Sequence, residues 1–235
     1  MACTLRDVDL DVHSGEVLAL LGDNGAGKTT LIKTIAGVVH PNSGAIHCRG
    51  EEVRINSPDK AHQLGIETVF QDLALVPNLP VANNFFIGRE QTIDVIPGLI
   101  RILRSRAMER DAAETLKRLD IHIPSLRVNV DSLSGGQRQA IAIARAIRWK
   151  ANLGILDEPT AAVSVPEQNK VLELTRSLAN QNVAVIYITH NMDDVMGVSD
   201  RIAVMHRGRK AGELTTSRTT QKEIVHAIMS GQMEQ

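Results

Sequence analysis

The stretch from Val17 to Thr30 constrains the fold most, because an apolar strand, a glycine-rich turn and the start of a helix meet in it. It reads VLALLGDNGAGKTT and fits the phosphate-loop pattern G-x-x-x-x-G-K-[ST] in full. Its glycines permit backbone angles that let successive N–H groups turn around a polyphosphate. The anion would then lie at a helix N-terminus, where unpaired N–H groups and partial positive charge coincide. The alternative is a tight strand-to-helix turn that holds a lysine by chance.

Within this loop, two side chains have predicted roles toward the phosphates. Lys28 is expected to reach the β- and γ-phosphates, and the Thr29 hydroxyl is expected to bind the Mg²⁺ that bridges them. The sequence therefore predicts ATP with Mg²⁺ as the ligand. The predicted nucleotide-binding residues of the loop are Gly22, Asn24, Gly25, Ala26, Gly27, Lys28, Thr29 and Thr30.

A second apolar strand, Leu153–Leu156, ends in the adjacent carboxylates Asp157 and Glu158. Parallel strands direct their carboxyl ends toward one crevice, so these groups are expected beside the phosphate loop. Neighbouring strand residues point to opposite sides. We therefore expect Asp157 to bind the metal, while Glu158 faces the γ-phosphate and polarises the attacking water. The alternative is a charged strand end followed by a Pro-Thr turn.

Composition limits the class of protein. With 235 residues and 43% hydrophobic content, the chain can bury a substantial core. Its formal charge of −1 provides no bulk attraction to nucleic acid or anionic lipid. The two cysteines, Cys3 and Cys48, are too few for a disulfide framework and fit a reducing cytoplasm. No apolar run approaches the roughly 20 residues that span a bilayer, so we expect a soluble protein unless a partner holds it at a membrane.

Apolar strands that alternate with helices predict an α/β fold with a parallel sheet covered on both faces. Residues 4–12 alternate in hydrophobicity and predict a half-buried strand. Ala45–Ile55 predicts short strands around Gly50, which would form a small β layer. The pattern from Val81 to about Arg148 is mostly helical, so residues 72–147 are interpreted as a helical subdomain inserted into the core.

The segment Leu133–Gln137 reads LSGGQ and precedes a long predicted helix. One interpretation is an ordinary helix cap, because serine is a favoured N-cap residue. The other is a second anion site made from a hydroxyl and bare backbone N–H groups at a helix N-terminus. One nucleotide needs only one such site from each chain, so the second would complete the nucleotide bound by another copy. The residues of this predicted site are Ser134, Gly135, Gly136 and Gln137.

The order of the phosphate loop, Gln71, LSGGQ, Asp157-Glu158 and His190 resembles the ATP-binding cassette (ABC) ATPases. The resemblance covers essentially the whole chain. It implies one ABC ATPase domain over residues 1–235, with a P-loop core, a small antiparallel β layer and the inserted helical subdomain. It further implies that Gln71 senses the γ-phosphate side and the metal, and that His190 contacts the γ-phosphate. Alone, either residue would be an ordinary polar strand end.

A longer phrase resembles the ATPases of bacterial simple-sugar importers: GIETVFQDLALVPNLPVANN from Gly65 to Asn84, followed by GRE from Gly88 to Glu90. This implies a subunit that hydrolyses ATP, pairs with itself or with a second cassette, and drives a transmembrane permease supplied by a periplasmic sugar-binding protein. Its expected location is peripheral, on the cytoplasmic face of the inner membrane, without nucleic acid. The alternatives are a regulatory module that binds ATP without turnover, and a soluble ABC ATPase acting on nucleic acid or ribosomes.

Two departures from the family pattern stand out. The aromatic residue that stacks on adenine usually lies upstream of the phosphate loop, yet residues 1–27 contain no Phe, Tyr or Trp. One interpretation is that the chain begins inside the strand that usually carries it. In addition, the loop after Glu158 usually ends in Leu-Asp but here ends in Val163-Ser164, which puts signalling between subunits through that aspartate in doubt. Ser164 is still predicted to cap the next helix, in a capping box closed by Glu167.

Overall fold

The structure, a computed structural model, describes residues 4–70, 72–96, 99–149, 151–161 and 163–232. Its strands are β1 (Val17–Leu21), β2 (Ile46–Cys48), β3 (Glu51–Val53), β4 (Ile66–Val69), β5 (Thr92–Ile96), β6 (Ile100–Leu103), β7 (Leu153–Asp157), β8 (Ala184–Ile188), β9 (Arg201–His206) and β10 (Arg209–Thr215). Its helices are α1 (Lys28–Ile35), α2 (Pro58–Gln63), α3 (Val81–Asn84), α4 (Ser105–Arg118), α5 (Gly135–Arg148), α6 (Val165–Asn180), α7 (Met192–Val198) and α8 (Gln221–Ser230).

One six-stranded sheet organises the molecule, in the order β10-β9-β1-β8-β7-β4. Strands β9, β1, β8, β7 and β4 run parallel, and β10 pairs antiparallel with β9. Every residue of β1 and β8 is buried, as expected for central strands covered on both faces. The predicted α/β fold with a parallel sheet is confirmed.

The small antiparallel layer is present as the hairpin β2–β3. Its two-residue turn, Arg49-Gly50, has φ values of 56° and 84°. Positive φ at both central residues produces the backbone twist that tight hairpins need. The prediction of short strands around Gly50 is therefore confirmed.

The prediction of a strand over residues 4–12 is wrong. Inward-facing apolar side chains do pack on the core next to β2 and β3, namely Leu5, Val8, Leu10 and Val12. The backbone, however, forms no assigned strand there, and Asp7 has a φ of 50°, which interrupts an extended conformation. The alternating pattern correctly predicted which side chains face inward but not the hydrogen bonding of the backbone.

Helices α3, α4 and α5 pack around an apolar cluster that includes Phe85, Phe86 and Ile141. Four apolar side chains spaced three or four residues apart in and just after α4 are all buried, namely Met108, Ala112, Leu116 and Leu119. The mostly helical pattern did not predict the antiparallel hairpin β5–β6 between α3 and α4. The division of the chain at residues 72 and 147 stays a prediction.

Within the described part of the chain, no helix combines the length and apolarity needed to cross a bilayer.

Candidate functional site

The phosphate loop leaves β1 through glycines in conformations that other residues rarely adopt. Gly22, Gly25 and Gly27 have φ values of 147°, 81° and 107°. Gly27 is the N-cap of α1, and no side chain of the described residues caps this helix or adds an acidic group to its first turn. The first N–H groups of α1 therefore remain free to bind an anion.

Lys28 lies folded back over the loop. Its Nζ donates hydrogen bonds to the carbonyl oxygens of Gly22 (2.5 Å) and Asp23 (3.1 Å). Burial lowers the pKa of Lys28, while the negative charges of Glu158, Asp157 and Asp23 oppose that shift. The ammonium group is thus held at the loop, close to the carboxyl end of β7.

The other predicted residues of the loop surround these groups. Thr29 is exposed in the first turn of α1, next to half-buried Thr30, and Asn24 is exposed at the outer edge of the turn. Ala26 is buried, and its N–H donates to the carbonyl of Asp23 at 3.0 Å. The loop is therefore closed by its own backbone, with Thr29 accessible to a ligand.

Asp157 is the last residue of β7, as the sequence predicted. Burial raises its pKa and the charge of Glu158 raises it further, whereas Lys28 and Lys33 lower it. The negative charges of two adjacent carboxylates are thus only partly balanced by the nearby lysines. Such an arrangement favours a bound cation with oxygen ligands.

Glu158 is the most constrained residue of the site. Its φ of 50° places it in the left-handed region, and its N–H donates to the carbonyl of Ile188 at 2.9 Å. Oε1 lies 2.7 Å from Nδ1 of His190, whereas Oε2 is buried without a hydrogen-bond partner among the described residues. One carboxylate oxygen is therefore held by the histidine, and the other is free to accept a hydrogen bond.

The structure brings His190 and Glu158 into one pair, although the sequence indicated each of them separately. The His190 side chain is 83% exposed and that of Glu158 is 16% exposed, so the histidine covers the carboxylate from the solvent side. Gln71 lies outside the described residues, and its sensing and metal-binding roles stay predictions.

The segment LSGGQ forms the start of α5. Ser134 is the N-cap: its Oγ accepts from the N–H of Gln137 at 3.2 Å, and Gln137 Oε1 accepts from the N–H of Ser134 at 3.1 Å. Gly135 and Gly136 occupy the first turn. Ser134 also donates to Glu167 of α6, so this helix start contacts a carboxylate within the same chain.

A buried network that the sequence did not reveal is centred on Asp194, which is 1% exposed. Asp194 accepts hydrogen bonds from Thr160 Oγ1 (2.5 Å), from Gln168 Nε2 and from the Tyr187 hydroxyl (3.3 Å). Burial, followed by the charge of Asp194, raises the pKa of Tyr187. The network joins the loop after Glu158 to β8, α6 and α7. A signal was available, because Asp194 lies one helical turn before Val198 and thus on the apolar face of α7.

Residues 5–161 match the family described as ABC transporter. The chain belongs to this family. It is therefore an ATP-binding ATPase of the ABC transporter type. It is 44% identical to the xylose/arabinose import ATP-binding protein XylG of Sulfolobus acidocaldarius, over 96% of this chain and 88% of the relative. It is 42% identical to the fructose import ATP-binding protein FrcA of Rhizobium meliloti, over 98% of this chain and 89% of the relative.

Solved structures show the same fold. The ADP conformation of MJ1267, an ATP-binding cassette of an ABC transporter, superposes with a TM-score of 0.77 at 23% identity and covers 96% of this chain and 89% of that one. The predicted fold of this cassette, with its P-loop core, is thereby confirmed at the level of architecture.

Proposed function

We propose that this cassette hydrolyses MgATP between two head-to-tail copies and thereby drives uptake of a simple sugar through a transmembrane permease. The observation that carries the proposal is the pair of Glu158 and His190 beside the phosphate loop, with Oε2 of Glu158 buried and unpartnered. The names of the similar proteins, which import xylose, arabinose and fructose, support a sugar as the solute.

The polyphosphate binds at the start of α1. Lys28 exchanges its two carbonyl partners for β- and γ-phosphate oxygens, which gains charge-assisted hydrogen bonds. The half-buried pair of Asp157 and Glu158 fits a hard divalent cation, because a cation offsets the burial and the repulsion from Glu158 that raise the pKa of Asp157. When bound, Mg²⁺ supplies charge neutralisation for the phosphates.

The protein offers few ligands to that cation. The structure contains no group of three or more His, Cys, Asp or Glu side chains suited to a metal, within the ranges it describes. We therefore assign Asp157, the Thr29 hydroxyl and Gln71 as its protein contacts, with phosphate oxygens and water completing the shell. This is how Mg²⁺ is usually held in nucleotide sites.

Glu158 acts on the attacking water. Its buried Oε2 accepts a hydrogen bond from the water and orients it toward the γ-phosphate, while His190 holds Oε1. His190, which covers Glu158 from the solvent side, contacts the γ-phosphate and senses its presence in this proposal. Both roles need only small movements of side chains that already lie together.

The second copy supplies the start of α5. A chain has two helix N-termini suited to an anion, those of α1 and α5, for each nucleotide it cradles. We therefore place Ser134, Gly135, Gly136 and Gln137 of one copy on the nucleotide held by the phosphate loop of the other. The permease and a periplasmic sugar-binding protein complete the transporter, with the cassettes peripheral at the cytoplasmic face of the inner membrane.

A Glu158→Gln variant tests the chemistry. The amide keeps the shape of the side chain and loses the charged acceptor, so ATP should remain bound while single-turnover hydrolysis falls about a hundredfold or more. The same variant should accumulate as an ATP-bound dimer, measured by size-exclusion chromatography with light scattering. Hydrolysis near the wild-type rate would remove Glu158 from the catalytic role. Wild-type binding of ATP without any turnover, with the permease present, would favour a regulatory module.

A mixed dimer tests the head-to-tail arrangement. One copy carries Lys28→Ala and the other carries Ser134→Arg, whose bulk and charge block the start of α5. In the proposed arrangement both changes fall in the same composite site, and the opposite site stays intact. The mixed dimer should close around one ATP, whereas either variant paired with itself should close around none. Closure that does not need Ser134 would contradict the arrangement.

A further inference from the structure

Glu167 of α6 occupies the start of α5. Its Oε1 accepts a hydrogen bond from the Ser134 hydroxyl at 2.7 Å, and its side chain lies against the backbone of Gly136. Its Oε2 accepts from the N–H of Ser164 at 3.0 Å and from the Ser164 hydroxyl at 2.8 Å. One carboxylate is therefore bound at the N-termini of two helices at once.

The contact with α5 is close-packed. A Cβ placed on Gly136 would lie 2.4 to 2.6 Å from the Cδ, Cγ and Cβ of Glu167. Only glycine fits at this position while the carboxylate lies there. The glutamate thus covers the backbone that the proposed function assigns to the partner's nucleotide.

The Ser134 hydroxyl carries a single proton. Here it is donated to Glu167, and its oxygen accepts from Gln137. A phosphate oxygen at this helix start needs the same proton and the same space beside Gly136. Two anions do not share this place, since like charges so close repel. Glu167 and a phosphate must therefore bind alternately.

Glu167 has room to leave. It borders a cavity of about 260 Å³ at the α5–α6 junction, where Gly136 and Lys170 are also among the lining residues. Ser134 itself is exposed, so separating the pair uncovers no apolar core. Lys170 follows Glu167 by three residues on the same helix face. Its ammonium group pairs with the exposed Asp120 at 3.2 Å and can exchange that contact for the released carboxylate.

We propose that Glu167 is a positioning residue that competes with the partner's nucleotide for Ser134, so that each cassette masks its own LSGGQ segment until ATP arrives. The proposal rests on the proposed dimer. In the unpaired chain the carboxylate of Glu167 occupies the place of the γ-phosphate and accepts the hydrogen bond from Ser134 at the start of α5. Closure then requires Glu167 to withdraw, which raises the ATP concentration needed for the dimer.

The chain contains a matched control for this role. Glu223 closes the capping box of α8, with Oε2 accepting from the N–H of Thr220 at 2.7 Å and from Thr219 Oγ1 at 2.9 Å. Glu167 makes the equivalent contacts at α6 but adds the contact with α5. Glu167→Ala and Glu223→Ala therefore remove similar capping interactions, and only the first uncovers Ser134.

The experiment measures dimer closure against ATP concentration by light scattering, in a Glu158→Gln background that prevents turnover. Glu167→Ala should reach half-maximal dimer closure at about three- to tenfold less ATP than the parent. The reason is that no carboxylate then has to leave Ser134 before the partner's nucleotide can bind there. Glu167→Gln should shift closure in the same direction, since it removes the charge but keeps the side-chain length. Glu223→Ala should match the parent. Binding of ATP to the monomer, measured by calorimetry at low protein concentration, should stay the same in all four proteins.

Three results would overturn the proposal. Closure of Glu167→Ala and Glu167→Gln at the parent's ATP concentration would show that the carboxylate does not compete. Loss of closure in both variants, with Glu223→Ala normal, would show that Glu167 supports the nucleotide site. Failure of the parent itself to close would overturn the head-to-tail function, and the proposal with it. The first two results leave the proposed function standing, so failure of the Glu167 proposal is distinguishable from failure of the proposed function.

Discussion

A single methyl group added at Gly22 should cost far more stability than the same group added at Gly25, although both glycines lie in the phosphate loop. Both have positive φ, 147° and 81° respectively. A Cβ on Gly22 would lie 2.3 Å from the carbonyl oxygen of Met205 in β9, whereas a Cβ on Gly25 meets nothing within 4 Å. The two variants therefore share backbone strain and differ in collision with the sheet.

The magnitudes follow from these two terms. Forcing a non-glycine residue into a left-handed conformation costs about 1–2 kcal/mol, which is the whole expected effect of Gly25→Ala. Gly22→Ala adds about 1–3 kcal/mol of overpacking, because Met205 belongs to a buried strand paired directly with β1 and cannot move alone. The sum of about 2–5 kcal/mol is a large part of the 5–15 kcal/mol that stabilises a typical domain.

Urea unfolding without nucleotide measures the difference. Trp149 is the only tryptophan of the sequence, so its fluorescence reports the transition without interference. Gly22→Ala should unfold at a lower urea concentration than Gly25→Ala. With the slope of free energy against urea unchanged, the difference should correspond to about 1–3 kcal/mol in the free energy of unfolding. ATP affinity should fall in Gly25→Ala despite its milder destabilisation, since the strained residue lies in the loop whose backbone is proposed to bind the phosphates. Equal destabilisation of the two variants would refute the collision with Met205.

Two further predictions concern charge at the site. Lys28→Ala should weaken ATP binding by about ten- to a hundredfold in calorimetry, because it removes a charge-assisted contact to the phosphates. The control Lys33→Ala, on the same helix, should bind ATP nearly normally. Equal effects would mean that only the total positive charge near the site matters, not a direct contact of Lys28. Asp157→Asn should raise the urea midpoint of the nucleotide-free protein at neutral pH, because burial and Glu158 raise the pKa of Asp157 and ionised Asp157 therefore opposes folding. That advantage should disappear as the pH falls below the ordinary carboxyl range, where Asp157 is protonated in both states; an advantage independent of pH would contradict this origin.

Local chemistry made the phosphate loop predictable. Glycines followed by Lys28 leave little choice of structure after an apolar strand, and the observed φ values and the uncapped start of α1 agree with that expectation. The Ser164–Glu167 capping box was equally readable, since its members lie three residues apart and interact directly. Both features depend on contacts within a few residues.

Long-range contacts were not predictable in the same way. The contact of Ser134 with Glu167 spans 33 residues and depends on how α5 packs on α6. The hairpin β5–β6 was missed because its apolar side chains, such as Ile93 and Ile102, are about half exposed. Such residues do not produce the one-sided pattern by which a strand on a core is recognised.

The pairing of Glu158 with His190 shows how the sheet, rather than either loop, builds the catalytic group. Strands β7 and β8 are parallel, with Asp157 opposite Ile188, and the N–H of Glu158 continues the ladder onto the carbonyl of Ile188. His190 lies two residues after Ile188, so its side chain points to the same side of the sheet as that of Ile188. Glu158 leaves its strand with a positive φ, and its carboxylate meets the histidine ring on that side. A slip of one residue in this register would send the histidine to the opposite face. The sequence carries both residues, but only the alignment of two buried strands brings them within hydrogen-bonding distance.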